Sequence, residues 1–362
     1  MDDIGWLLPL AGGLVGLIIG GAARLDRFCT LAALERYWYA GDATGVRTWV
    51  LAATVAIVAT QALVLSGFID VSSSFYLRPD FGWTGAILGG LAFGFGMALV
   101  GTCGFGALVR LGGGSLRSLV VLIVLGLSAL AAQRGLVAQV RVELVDDLAV
   151  DLGFAGDQSI GSLVSAAAGA DLHLAVAALV AGLLLLWVFS AAGYRRRFGH
   201  IATATVVGLG ITAGWVVTAW GARRAFEPVQ VEAGSFVVPV GDTLMQFITY
   251  TGVKPDYGVG LVVGVGLGAA LVAWRKKDVR WEACDDAREL GRHIVGAFLM
   301  GVGGVFAMGC TIGQGISAAS LLAVSAPITM LSIAVGARLG LAYLLEGSVW
   351  SVFIISRHKS AE

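Results

Sequence analysis

The sequence predicts an all-α polytopic membrane protein of about nine transmembrane helices, arranged as an inverted repeat with re-entrant half-helices. Three observations lead there. Hydrophobic residues make up 57% of the chain and charged residues only 13%, with a mean hydropathy of +0.86; soluble chains carry about 25% charged residues. Apolar segments of membrane-spanning length follow one another along nearly the whole sequence. Finally, the stretch Gly89-x4-Gly94-x-Gly96-x6-Cys103-x2-Gly106 recurs as Gly296-x4-Gly301-x-Gly303-x6-Cys310-x2-Gly313, every matched residue displaced by 207 positions.

A span needs roughly 20 mostly apolar residues. That criterion places helices near 5–23, 46–68, 83–102, 116–132, 172–192, 199–221, 256–275, 290–309 and 327–346. The first lacks a basic leader ahead of it, so it reads as a span and not as a cleaved signal. Between the spans, 143–152 is acidic and expected to lie at the interface, while 242–251 is too short to cross and reads as re-entrant or surface-lying. Tryptophans such as Trp6, Trp49, Trp83 and Trp350 fit the interfacial belts. The 53 glycines suit close approach of membrane helices.

Lys and Arg orient the spans. With the amino terminus outside, the inner segments hold 17 of them and the outer segments 6, and the dense cluster at 275–280 falls inside. This predicts an inner-membrane protein with its carboxyl terminus in the cytoplasm. Five spans then separate the Cys103 frame from the Cys310 frame, an odd number, so the two enter the membrane from opposite faces. The expected organisation is a first repeat over residues 1–132 and a connector over 133–198. A second repeat covers 199–346, and a cytoplasmic tail 347–362. Inverted repeats of this kind bring interrupted helices to a site near the midplane.

Several functions are disfavoured. The 24 basic and 24 acidic residues cancel, and no basic run interleaved with aromatics suggests nucleic-acid binding. Four cysteines without a C-x-x-C pair make neither a disulfide framework nor a dithiol motif. His173, His200, His293 and His358 are dispersed, so no metal is expected, and nothing calls for a cofactor.

The glycine-rich breaks are where chemistry is expected. Gly101-Thr102-Cys103-Gly104-Phe105-Gly106 carries too much glycine for a continuous helix. A helix stopping at depth, with a short one returning, would turn backbone N–H groups toward an anion. Gly309-Cys310-Thr311-Ile312-Gly313-Gln314-Gly315 repeats the arrangement and adds polar Thr311 and Gln314. Taken singly, each cysteine could be a small packing residue; its duplication in two antiparallel frames favours function. From the residues alone Cys29, in Arg24-Leu25-Asp26-Arg27-Phe28-Cys29, is either a path residue or a surface thiol beside a salt-bridge cluster. Cys284 lies in a charged loop without glycine framing and reads as a bystander. Arg338 is either an intramembrane functional charge or the partner of Glu346, and Arg223 and Arg224 serve as anion attractors or interfacial anchors.

These boxes resemble the YeeE/YedE family of membrane sulfur-compound transporters, through Arg27-Phe28-Cys29, Gly94-x-Gly96 running into Gly101-Thr102-Cys103-Gly104-Phe-Gly106, and Met308-Gly309-Cys310-Thr311-Ile-Gly313-Gln314-Gly315. The resemblance spans most of the chain and implies uptake of thiosulfate. It places Cys29, Cys103 and Cys310 on the family's central path, with Gly104, Gly106, Thr311, Gly313 and Gln314 as supporting anion contacts. It also implies a small sulfur-carrier partner of the TusA type, expected to act in trans because no such domain follows the last span.

Thiols suit such a path. Thiosulfate is a dianion with three hard oxygens and one polarisable terminal sulfur, which a neutral S–H can contact weakly enough to release. A thiolate would repel it, so the thiols are expected to stay protonated, with backbone N–H groups, Thr311 or Gln314 holding the oxygens. The expected order is Cys310, then Cys103, then Cys29 near the cytoplasm. Competing readings are a path for selenium species, sulfide or another soft solute, and a membrane thiol oxidoreductase.

Overall fold

A computed structural model describes residues 3–225, 228–250, 254–284 and 286–347. Trp350, His358 and nearly all of the expected tail lie outside them. The long apolar segments fold as helices because a membrane interior offers backbone groups no other partners. Seven helical stretches are long and apolar enough to cross a membrane. Two of these are bent chains of two helices each: α1 (Asp3–Asp26) with α2 (Thr30–Ala40), and α4 (Gly90–Val100) with α5 (Gly104–Gly112). Between them lies α3 (Thr44–Leu65), and α6 (Leu116–Arg134) follows.

The connector begins with the short α7 (Val137–Arg141) and α8 (Ile160–Ala168). The expected interfacial segment pairs briefly with the loop before α4, through β1 (Asp80–Phe81) against antiparallel β2 (Val150–Asp151). The span expected at 172–192 is α9 (His173–Phe189), of 17 residues, followed by one turn, α10 (Ala192–Arg195). The second half holds α11 (Phe198–Arg224), α12 (Val238–Ile248), α13 (Tyr257–Arg275), α14 (Ala287–Phe306) and α15 (Ser325–Glu346). The eighth expected span is α14, whose first turns carry Arg288, Glu289 and Arg292 and lower its hydropathy. The protein is a multi-pass, all-α membrane protein.

Helix pairing follows the repeat. The main contacts join α1 to α13, α3 to α11, α4 to α15, α6 to α14, α4 to α14 and α1 to α11. Exchanging α1, α3, α4 and α6 for α11, α13, α14 and α15 maps this set onto itself. The glycine frames explain the central pair. Gly89 sits on Gly303 and Gly96 on Gly296, so first and third glycines of each frame meet and α4 runs antiparallel to α14. The middle glycines face outward to equivalent partners, Gly94 to Ile333 and Ala337 of α15, Gly301 to Leu125 and Ala129 of α6. Antiparallel packing puts the Cys103 break at one end of this seam and the Cys310 break at the other.

Segment 242–251 falls largely in α12. Its N-terminal end is deep, with Val237 against Gly304 of α14 and Gly241 against Gly126 of α6, while Phe247 and Ile248 near its end are exposed. It is a helix of 11 residues with one end buried and the other exposed, the same length as α2.

Candidate functional site

Three times the chain stops a helix with a left-handed residue and starts another with a cysteine. After α1, Arg27 has φ 53° and Cys29 caps α2; after α4, Gly101 has φ 77° and Cys103 caps α5. After α14, Met308 has φ 54° and Cys310 precedes a helical stretch over 311–320 with a π-helical middle, Gly313–Ala318. Each cysteine stands two residues past the left-handed turn. Each carbonyl accepts the first bond of the new helix, Cys29 from Ala33 at 3.1 Å, Cys103 from Ala107 at 2.8 Å and Cys310 from Gln314 at 2.8 Å. All three side chains therefore sit at helix N-termini, where unsatisfied N–H groups favour negative charge. This geometry gives Cys29 the same standing as the other two, which its surrounding residues alone left open.

The sulfurs of the two repeated frames are held alike. Cys103 Sγ accepts the Gly106 N–H at 3.4 Å and Cys310 Sγ the Gly313 N–H at 3.4 Å. The matching glycine in each frame keeps space open beside the thiol. A Cβ on Gly106 would lie 3.6 Å from both Cys103 Sγ and Cys29 Sγ and would collide with Thr102 Oγ1. A Cβ on Gly313 would lie 2.9 Å from the Tyr76 hydroxyl and 3.2 Å from Ser235 Oγ. Cys29 and Cys103 thus face each other across Gly106, with Cys29 Sγ 3.8 Å from Thr102 Oγ1. Gly104 is needed for another reason: a side chain there would press on the Phe236 carbonyl, 2.9 Å from its Cβ position.

Two vestibules approach these cysteines. The first, a cavity of about 390 Å³, ends on Cys29, Thr102 and Gly106 and is lined by Arg24, Arg27, Arg36, Arg110 and Arg280 against Asp278 and Glu282. Part of that charge is paired, Arg24 with Asp278 at 3.1 Å and Arg280 with the same carboxylate at 3.3 Å. The second, about 480 Å³, reaches Ser235, Met308 and Gly309, one residue short of Cys310. Its wall carries Arg78, Arg134, Arg141 and Lys254 together with Glu232, Asp242 and Asp256. Burial, with Asp256 and Asp242 adding in the same sense, pushes the Glu232 carboxyl up to about 8.

Between the vestibules the structure is closed. Cys103 and Cys310 are buried, and Phe105 and Phe236 pack with centroids 4.9 Å apart at a 51° tilt, with Phe28 edge-on to Phe105. Polar groups remain here without partners. Thr311 Oγ1, Gln314 Oε1 and the Tyr76 hydroxyl are all buried and unbonded. Gln314 directs its amide nitrogen at the carbonyls of Ala307, at 2.7 Å, and Met308, at 3.4 Å, which caps α14. Its donor side is engaged, and it offers the site a carbonyl oxygen.

The remaining candidates lie elsewhere. Cys284 Sγ is 3.8 Å from His293 Nδ1 in the loop before α14. Arg338 pairs with Glu346 at 3.9 Å and stacks on Tyr39 and Trp38. Arg224 stacks on Trp220. Among the described residues no group of three potential ligands could hold a metal ion.

Sequence reasoning missed Tyr76, Ser235, Phe236, Arg110 and Glu232. One signal for Phe236 was present. Phe236-Val237 precedes α12 as Phe28-Cys29 precedes α2, and Val238 follows Thr30 by 208 positions. The fourth half-helix thus carries Val237 where its counterpart carries a thiol.

A family model described as sulphur transport matches residues 26–339. A thiosulfate transporter, TsuA, of Escherichia coli (strain K12) is 24% identical over 331 residues, covering 85% of this chain and 86% of that protein. Another protein of that name, from Spirochaeta thermophila, is 24% identical over 327 residues, covering 87% and 92%.

Proposed function

Since the chain belongs to the sulphur transport family, we propose that it takes up thiosulfate, or a closely related inorganic sulfur species, across the inner membrane along a column of three neutral thiols. The observation that carries this reading is the threefold placement of cysteine at a helix N-terminus, in the closed region between two vestibules or at its edge. The relatives named as thiosulfate transporters favour that substrate over other soft solutes.

The positive-inside orientation puts the arginine-rich first vestibule in the cytoplasm and the second outside. An ion drawn toward Arg78, Arg134 and Arg141 reaches Cys310 past Ser235 and Gly309. There the S–H meets the terminal sulfur, while N–H groups at the start of the 311–320 helix face the oxygens. Phe105 and Phe236 separate, the ion passes to the Cys103–Cys29 pair, and the basic vestibule receives it. Each thiol contact is a weak sulfur hydrogen bond, which favours release of the ion from one site to the next. A TusA-like carrier on the cytoplasmic side receives the ion at the first vestibule.

The test is labelled thiosulfate uptake by purified protein in vesicles, with Cys→Ala and Cys→Ser at each position. Cys29→Ala, Cys103→Ala and Cys310→Ala should each cut uptake at least tenfold at normal expression, and Cys284→Ala should leave it unchanged. Wild-type uptake by both Cys103→Ala and Cys310→Ala ends the mechanism.

A further inference from the structure

The Tyr76 hydroxyl occupies a place that packing alone does not explain. Tyr76 is 2% exposed and lies in the loop between α3 and α4, more than 200 positions before the Cys310 frame it faces. Its ring is clamped on two sides, by Phe75 at 4.0 Å and by the edge of Trp215 at 6.4 Å. Trp215 is itself fixed, its indole N–H bonded to Ser320 Oγ at 2.9 Å. The ring is therefore held, yet the hydroxyl it carries has no partner. Leaving a buried hydroxyl unbonded is unfavourable, and native structures avoid it unless something occupies the site.

Where that hydroxyl points is specific. It lies 3.2 Å from the Cβ position of Gly309 and 2.9 Å from that of Gly313, the two glycines that flank Cys310. Either side chain would fill the space between the phenol and the thiol frame. Ser235 Oγ borders the same space, and the second vestibule opens onto it through Ser235 and Gly309. Thr311 Oγ1, also buried and unbonded, belongs to the same turn. The Tyr76 hydroxyl, Ser235 Oγ and the turn that carries Cys310 and Thr311 thus border one small space. A tetrahedral oxyanion can satisfy them together. Phenylalanine would pack between Phe75 and Trp215 equally well, so the oxygen is not there for the ring's sake.

We propose that Tyr76 is a substrate contact, the hydroxyl that donates to an oxygen of the thiosulfate ion seated at Cys310 and sets the affinity of the outer site. This rests on the thiosulfate reading above and adds a residue that the cysteine frames do not contain. Cys310 addresses the terminal sulfur and Tyr76 the oxyanion end, so one ion is read at both ends before it enters the closed region.

The experiment uses the full-length protein and Tyr76→Phe. Labelled thiosulfate uptake is measured in vesicles, and thermal unfolding in detergent with and without thiosulfate. A lost charge-assisted hydrogen bond should raise KM by roughly tenfold or more, with Vmax within about twofold. The ligand-free variant should melt no lower than wild type, because its deleted oxygen had no partner, and stabilisation by added thiosulfate should largely vanish. A KM within twofold of wild type with stabilisation retained overturns the proposal. So does a variant whose ligand-free melting temperature falls by several degrees, since the hydroxyl would then be structural. Absence of uptake and of thiosulfate stabilisation in the wild type itself instead sinks the substrate reading on which the proposal stands.

Discussion

Replacing Gly89 by alanine tests the seam that carries both cysteine frames. A Cβ there would lie 2.7 Å from Ala307 N, 2.7 Å from Gly303 O and 2.8 Å from Phe306 Cβ. Two of these are backbone atoms of α14 and its end, which cannot swing aside. Ordinary contact begins near 3.4 Å, so the helices must part by about 0.7 Å or tilt. Overpacking of this kind costs roughly 1–3 kcal/mol, which for a chain of this length corresponds to a fall of roughly 1–4 °C in melting temperature. Because α4 and α14 end at the Cys103 and Cys310 turns, uptake should fall by half or more at equal expression. Gly266→Ala is the control. Nothing lies within 4 Å of its Cβ position, and alanine is the better helix former by about 1 kcal/mol, so melting should hold or rise and uptake should not change. Gly303 meets Gly89 O at 2.6 Å, so Gly89→Ala with Gly303→Ala should cost less than the sum of the two. Measurements are fluorescence-monitored melting in detergent and labelled uptake in vesicles. If Gly89→Ala melts within 1 °C of wild type and transports normally, the reasoning about the seam is refuted.

Two other predictions concern the second vestibule. Met308 holds the left-handed conformation that Gly101 supplies in the other repeat, at about 1–2 kcal/mol for a non-glycine residue. After the entropy cost of glycine, Met308→Gly should stabilise the protein by about 0.5–1 kcal/mol; a lower melting temperature would show that the methionine side chain contributes more than its backbone strain removes. Glu232 titrates near 8, facing Asp242 and Asp256 as well as Arg78, Arg134 and Lys254 across the cavity. Below that pH it is neutral and above it adds a negative charge beside an entering dianion, so KM for thiosulfate should rise as the outer pH goes from 7 to 9. Glu232→Gln should flatten the profile, and an unchanged slope in that variant would assign the dependence to another group.

Much of this arrangement was legible in the sequence because hydropathy and glycine spacing are local signals. The antiparallel relation of the Cys103 and Cys310 frames followed from counting spans and basic residues, and the glycines of each frame meet in the order that relation requires. Helix ends were less visible. The first span runs on to Asp26, since Arg24 finds Asp278 and Asp26 finds His200, partners that no local window contains. The eighth stops at Phe306 and not near 309, because a methionine makes the left-handed turn where a glycine would have announced it. The segment at 242–251 was visible as too short to span, but Val237 hid its kinship with the cysteine-led half-helices from a search guided by thiols. Tyr76 was invisible for a different reason: the glycines it faces, Gly309 and Gly313, are more than 200 positions away, and a single tyrosine in a loop carries no periodicity.

The contact between α4 and α14 also determines what can move. From Gly89 to Gly96 is seven residues, about 10 Å of helix, with backbone meeting backbone at both glycine crossings. The pair behaves as a single stiff beam. Whatever separates Phe105 from Phe236 must then be carried by the pieces hung from it, the nine residues of α5 and the stretch leading into α12. Those pieces are short and begin at turns. A gate built from them, on the proposed path, would work inside a frame that stays still, and the surrounding bilayer would not have to deform with it.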